Sequence, residues 1–256
     1  MIIGNKSRRN VLVSTDHGLM IVNRFDHDQN QVGHAQWLLD HGNSDSIEAF
    51  ICIRLLQSIH QPVMFDIGAN IGTITTLVAN VLRSCEVYCF EPQHDVFKIL
   101  CGNLAINNLD NCRAYNIALG NKNTTVEIRE PDYFSPNDFG IFSLIENKIP
   151  VLSDKTIMVD VCTVDDFVAK HHIEKIDLIK IDAEGMDFAV LEGARLIIEK
   201  YNPRIFIEHS DNKKSNLDKI QNFLGHEKYN FMIIRNNLLA VPREYLTPDL
   251  RDLLSS

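Results

Sequence analysis

The sequence predicts an α/β fold: an open, doubly wound, mostly parallel sheet covered by helices on both faces, with a small N-terminal appendage. Three observations predict it. From Pro62 onward, short apolar runs alternate with segments of helical periodicity. The first of these runs feeds a glycine turn, Gly68-Ala69-Asn70-Ile71-Gly72, that opens a helix. The chain has 256 residues, 45% hydrophobic and 23% charged. That suits one large globular domain, or one with a small addition, at about 150 residues per domain.

Residues 1–60 precede the alternation and are read as the appendage, a cap or substrate-side element. Val11-Leu12-Val13-Ser14 and Leu19-Met20-Ile21-Val22 flank Asp16-His17-Gly18, the pattern of a hairpin. Ser44-Asp45-Ser46 supplies a helix cap, after which Ile47, Phe50, Ile51 and Leu55 recur at helical spacing. Residues 61–256 form the main domain. Its first strand is 63–67 and its first helix 73–83. The second strand, 87–91, meets Pro92, which suits the first turn of a helix carrying Val96, Leu100 and Leu104. A third strand falls at 113–117. Residues 125–128 and 157–161 are β-rich, and the long loop between them holds Pro131, Pro136, Gly140 and Pro150. The fourth core strand, 177–182, leads into a helix with Phe188, Leu191, Ala194 and Ile198. The fifth is 204–208. A helix near 217–224 precedes strand 231–234, and Asn236-Asn237 turns the chain into an antiparallel strand at 238–241. Ligands in such sheets bind outside the carboxyl ends of the strands, near the switch point.

Charge and composition exclude several classes. Asp and Glu number 34 against 25 Lys and Arg, a net charge of −9. Such a surface has no long-range attraction for nucleic acid or anionic lipid. No apolar run approaches the roughly 20 residues of a membrane span, and the first residues lack a signal-peptide core. A cytoplasmic protein with no nucleic acid or membrane partner is expected. The six cysteines form no Cys-x-x-Cys pair and read as reduced thiols. No His-Glu-x-x-His is present, and no Asp/Asn-Pro-Pro-aromatic motif of the DNA amino-group methyltransferases.

The glycine turn is the richest stretch. A phosphate-binding P-loop needs Gly-Lys-Ser/Thr, but Gly72 is followed by Thr73-Ile74. A dinucleotide fingerprint counted from Gly68 needs glycine at 70 and 73, where the chain has Asn70 and Thr73. An acid, Asp66, precedes the turn, and a second, Glu91, ends the next strand. The first repels a pyrophosphate and welcomes an ammonium; the second can accept hydrogen bonds from both hydroxyls of a ribose. S-adenosylmethionine, with a ribose, an amino acid end and no phosphate, fits both.

Residues 65–72, Phe-Asp-Ile-Gly-Ala-Asn-Ile-Gly, resemble the first motif of the FkbM-type methyltransferases. Val87-Tyr88-Cys89-Phe90-Glu91-Pro92 is similar to their second motif, and Asn116-Ile117-Ala118-Leu119-Gly120 to the segment after their third strand. Residues 179–187, Ile-Lys-Ile-Asp-Ala-Glu-Gly-Met-Asp, with Leu191-Glu192-Gly193-Ala194, resemble their most telling motif, with Asp187 where glutamate is common. The similarity runs over about residues 60 to 240. It implies a class I, Rossmann-like, seven-stranded fold and S-adenosylmethionine-dependent transfer of a methyl group, often to hydroxyls of sugars or natural products. By that resemblance Asp66, Gly68, Ala69, Asn70 and Gly72 form the methionine side of the cofactor pocket, and Glu91 holds the ribose. Ile117 and Ala118 lie near the adenine. Asp182 faces the methionine end or the acceptor.

A hydroxyl acceptor needs its proton removed. His209, just past the fifth strand, is the expected general base, with Asp182 as second catalytic residue, chiefly for cofactor positioning. Asp182, Glu184, Asp187 and Glu208 could hold magnesium through oxygens. Helix-start carboxylates are the favoured reading of that set, and no metal site is assigned. Tyr133, Phe134, Phe139 and Phe142 stud the long loop as lid or as packing anchors. Glu48, on the helix before the core, is read as reaching the cofactor mouth or, the favoured reading, as lying in solvent. The expected activity is O-methylation of a small molecule or glycan. N-methylation from the same pocket is one alternative; a non-catalytic adenosyl-ligand module is the other.

Overall fold

A computed structural model of the chain describes residues 2–3, 8–27, 33–141, 143, 152–209 and 214–246. The N-terminal elements are β1 (Ile2–Ile3), β2 (Asn10–Thr15), β3 (Gly18–Asn23), α1 (His34–His41) and α2 (Ser46–Leu56). Then come β4 (Val63–Ile67), α3 (Thr73–Val81), β5 (Glu86–Phe90), α4 (His94–Ile106), β6 (Cys112–Tyr115), β7 (Ala118–Leu119), β8 (Thr124–Pro131) and β9 (Leu152–Cys162). The chain continues through α5 (Val164–His171), β10 (Leu178–Ile181), α6 (Asp187–Gly193), α7 (Arg195–Tyr201), β11 (Arg204–Glu208), α8 (Lys214–Leu224), β12 (Tyr229–Ile234) and β13 (Asn237–Pro242).

Seven strands form the main sheet, in the order β12-β13-β11-β10-β4-β5-β6. β4, β5, β6, β10 and β11 pair in parallel; β13 runs antiparallel to β11, and β12 to β13. The order reverses between β4 and β10, so their carboxyl ends flank the switch point. Both strands are buried throughout, which is why they read as unbroken apolar runs. Alternation still divides their side chains. Phe65 and Ile179 enter the core on one face, while Met64 and Leu178 meet α2 and α3 on the other. Phe167, from α5, packs edge-on against Phe90 at a centroid distance of 4.8 Å.

The appendage is tied to the main domain through polar groups. Asn103 and Asn107 lie one turn apart on α4 and face the outer edge of β3. The Ile21 amide donates to Asn103 Oδ1 at 2.6 Å, and Asn103 Nδ2 donates back to the Ile21 carbonyl at 3.1 Å. Asn107 makes the same exchange with Leu19, at 3.0 and 2.7 Å. The two amides thus satisfy an edge that would otherwise be open.

The hairpin and the helix after Ser46 form as expected. The third strand ends at Tyr115, two residues early. Two helices, α1 and α5, carry no strong signal, and the helix after Asp187 breaks at Ala194 into α6 and α7. β7, β8 and β9 form a separate three-stranded sheet. All six cysteines are free; Cys52, Cys85 and Cys89 are buried, and the other three are half-buried. Among the described residues, no helix is long and apolar enough to cross a membrane.

The long loop is an anchor where it is described. Tyr133 and Phe139 are buried in a cluster with Val11, Met20, Leu38 and Val96. Gln93 Nε2 donates to the Phe139 carbonyl at 2.9 Å, and Asn23 Nδ2 to that of Tyr133 at 3.0 Å. Phe134 is exposed, with the Arg9 guanidinium 4.6 Å over its ring. Phe142 lies outside the described residues.

Candidate functional site

The carboxyl ends of β4, β5, β10 and β11 open onto one cavity of about 320 Å³, the size range of small-molecule sites. The first motif forms its floor. Gly68 and Gly72 have φ of +77° and +87°, where a side chain is strained. A Cβ on Gly68 would strike the Asp182 carbonyl, and one on Gly72 would lie 2.6 Å from Leu100 Cδ1. Asn70 also turns left-handed, at φ +51°. Its amide thereby donates to Glu91 Oε2 at 3.0 Å, while Gln93 N donates to Oε1 at 2.8 Å. Burial pushes the Glu91 carboxyl up to about 7. Asp66, Gly68, Ala69, Asn70, Glu91, Ile117, Ala118 and Asp182 all line the cavity. Gly72 sits just behind, as the left-handed cap of α3.

Lys180, to which the sequence reading assigned no role, is central. It occupies β10 and is 5% exposed. Its ammonium lies 3.4 Å from Asp66 Oδ1 and 3.4 Å from Asp182 Oδ2, and donates to the Gly68 carbonyl at 3.1 Å. The two carboxylates hold its pKa above the ordinary lysine value despite burial. Asp66 is fully buried and takes a 2.6 Å hydrogen bond from Thr75 Oγ1. The first acid therefore holds Lys180 and the glycine turn in place as well as facing the cavity.

The acceptor end lies where β10 and β11 leave the sheet. β10 and β11 pair in parallel with Ile181 beside Ile207, so Asp182 and Glu208 leave the sheet side by side. Glu208 lines the cavity beside Asp182. Burial, with Asp182 next to it, pushes the Glu208 carboxyl up to about 9. His209 is not among the lining residues. Consecutive strand residues point to opposite faces, so the inward course of Glu208 turns the histidine away. Both its ring nitrogens are buried without a hydrogen-bond partner.

The carboxylates of Asp182, Glu184 and Glu208 offer oxygens within 4.8 Å of one another. Asp187 is turned aside, accepting from Ala183 N at 2.8 Å and Gly185 N at 3.2 Å. Further lining residues include Glu48, His34, Asp45 and Gly140.

A model of the FkbM methyltransferase domain matches residues 66–233, which span the whole floor and both strand ends just described. The chain belongs to the FkbM methyltransferase family. The 2-O-methyltransferase NoeI of Sinorhizobium fredii (strain NBRC 101917 / NGR234) is 25% identical over 158 residues, 59% of this chain and 64% of that protein. This chain thus spans less than two thirds of that relative's length. Among solved structures, the FkbM methyltransferase of Methylobacillus flagellatus KT superposes with a TM-score of 0.53 at 18% identity, over 72% of this chain and 44% of that one. A SAM-dependent methyltransferase from Agrobacterium tumefaciens gives 0.50 at 9% identity, over 92% and 70%. These likenesses show the class I methyltransferase fold.

Proposed function

We propose that this FkbM-family chain is an S-adenosylmethionine-dependent O-methyltransferase acting on a hydroxyl of a small molecule or glycan. The observation that carries the reading is the junction of two chemistries in one cavity. A carboxylate suited to a ribose, Glu91, lines one part of it, and two adjacent carboxyl groups, Asp182 and Glu208, another. The activity of NoeI, a 2-O-methyltransferase, agrees with it.

When bound, the cofactor supplies an electrophilic methyl group on a sulfonium. The residues present fit it: Glu91 faces the ribose, Ile117, Ala118 and Leu119 give an apolar wall for the adenine, and the glycine turn lets the methionine end approach the backbone. The remaining work is alignment and proton removal. Asp182, steadied by Lys180, accepts the hydroxyl proton as the oxygen attacks. Glu208, its pKa raised, keeps its own proton, which avoids a second negative charge beside Asp182. Lys180 already places a cation beside Asp182, so the reading needs no magnesium.

Incubation with methyl-labelled S-adenosylmethionine and matched pairs of acceptors, one with a hydroxyl and the other with an amine at the same position, tests it. Mass spectrometry is expected to find a methyl ether. Label on the amines alone would establish N-methylation instead.

A further inference from the structure

The cavity is crowded with negative groups, yet an amino acid tail carries a carboxylate as well as an ammonium. Three cationic residues line the walls: Lys180, Arg235 and His34. The Lys180 ammonium is committed to Asp66, Asp182 and the Gly68 carbonyl. Arg235 is exposed at the tip of the β12–β13 hairpin. His34 is different. Its Nδ1 lies 3.0 Å from Asp45 Oδ2 and 3.2 Å from Ser44 Oγ. That leaves Nε2 as the uncommitted nitrogen of a ring that lines the cavity beside Gly140.

Several elements fix the ring. Asp45 precedes α2 in a left-handed conformation, φ +54°. It takes a 2.6 Å hydrogen bond from Thr73 Oγ1, directly after Gly72 of the glycine turn. The His34–Asp45 pair therefore stands beside the methionine end of the floor. From below, Asp26 binds the Ala35 amide at 2.9 Å and the Phe139 amide at 2.9 Å, locking the start of α1 to the loop. A Cβ on Gly140 would lie 3.4 Å from His34 Nε2 and 3.2 Å from Asp138 Oδ1, so only glycine's small profile borders the ring there. The charged groups facing His34 are Asp45, Asp26 and Asp182, with Asp138 beside Gly140.

We propose that His34, paired through Nδ1 with Asp45, donates its Nε2–H to the α-carboxylate of the cofactor's methionine end. The appendage would thus complete the cofactor pocket that the family motifs leave without a free cation. His34 is a binding residue in this scheme and takes no proton from the acceptor. The neighbouring carboxylate raises the ring to about 10, so it stays charged at neutral pH. The inference rests on the reading of the cavity as an adenosyl-cofactor site.

Calorimetry with two probes tests it: S-adenosylhomocysteine, which has the amino acid end, and 5′-methylthioadenosine, which lacks it. His34→Gln is expected to weaken S-adenosylhomocysteine by about 10- to 100-fold, the usual worth of a charge-assisted hydrogen bond. Methylthioadenosine affinity should stay within about 2-fold, which also reports an intact fold. In the wild type, S-adenosylhomocysteine affinity, once level above about pH 7, should hold until the pH nears 10. In Asp45→Asn that fall should move toward about 6.5. Equal loss for both probes, no loss for either, or a wild-type fall near 6.5 would overturn the proposal. Failure of the wild type to bind either probe would instead strike the cofactor reading on which it rests.

Discussion

The Asn70 amide donates to Glu91 Oε2 across 3.0 Å, tying the glycine turn to the acid that ends the next strand. The Gln93 backbone amide binds the other oxygen, so both serve the fold, and it is their remaining lone pairs that are left for a ligand in the cavity. Burial has pushed this carboxyl up to about 7. Two ribose hydroxyls need acceptors, so binding should favour the ionised form. S-adenosylhomocysteine affinity is expected to rise with pH through about 7, level off above it, and be accompanied by proton release in calorimetry. Stability of the free protein runs the other way. A folded-state pKa above the unfolded one gives a contribution that is full below about 4.3 and lost as the pH rises through 7.

Lys180 joins two acids inside the sheet. Lys180→Met should leave Asp66 and Asp182 without their cation and lower stability by about 3–5 kcal/mol. Asp66→Asn in the same chain should restore part of the loss. Thermal unfolding of the single and double variants checks this; equal melting temperatures for Lys180→Met and wild type would show that the ammonium is dispensable.

Glu208, and not His209, is expected to govern turnover. Glu208→Gln keeps a hydrogen-bonding group beside Asp182 but removes the titrating carboxyl. Any change in wild-type rate as the pH passes about 9 should vanish in that variant. Asp182→Asn should lower turnover about 100- to 10,000-fold. His209→Ala should retain most activity. A loss of that size in His209→Ala, with cofactor affinity unchanged, would return the histidine to the role its position after the fifth strand suggests.

Phe139 is 3% exposed and packs on Tyr133 with ring centroids 4.9 Å apart. Phe139→Ala should cost about 3–5 kcal/mol as a core cavity. Phe134→Ala, at an exposed ring, should change the melting temperature little. Nearly unchanged melting for both would mean that the loop does not anchor the appendage.

The main sheet and the cofactor end of the site are legible because local rules decide them. A glycine turn after a buried strand, with acids at 66 and 91, encodes its own geometry. Lys180 was hidden because a lysine inside an apolar run gives no sign of its partners until β4 and β10 pair. His34 and Asp45 were hidden for a similar reason. They come from the starts of two short helices, and long-range contacts, among them the Thr73–Asp45 hydrogen bond and the docking of β3 on Asn103 and Asn107, bring them beside the glycine turn. The choice between Glu208 and His209 depends on which face of β11 meets the cavity. The run Arg204–Glu208 is buried on both faces through its centre, so its apolar pattern does not announce that choice.

The central claim is that Glu91 and the glycine turn form an adenosyl-cofactor site that excludes a dinucleotide. Calorimetric titration of wild type and Glu91→Ala with S-adenosylhomocysteine and with NAD tests it most directly. The account predicts that wild type binds S-adenosylhomocysteine and not NAD. It also predicts that Glu91→Ala loses about 1.5–3 kcal/mol of that binding, for want of a charged acceptor at the ribose. Equal affinity for S-adenosylhomocysteine in the two proteins, or binding of NAD to the wild type, would contradict it.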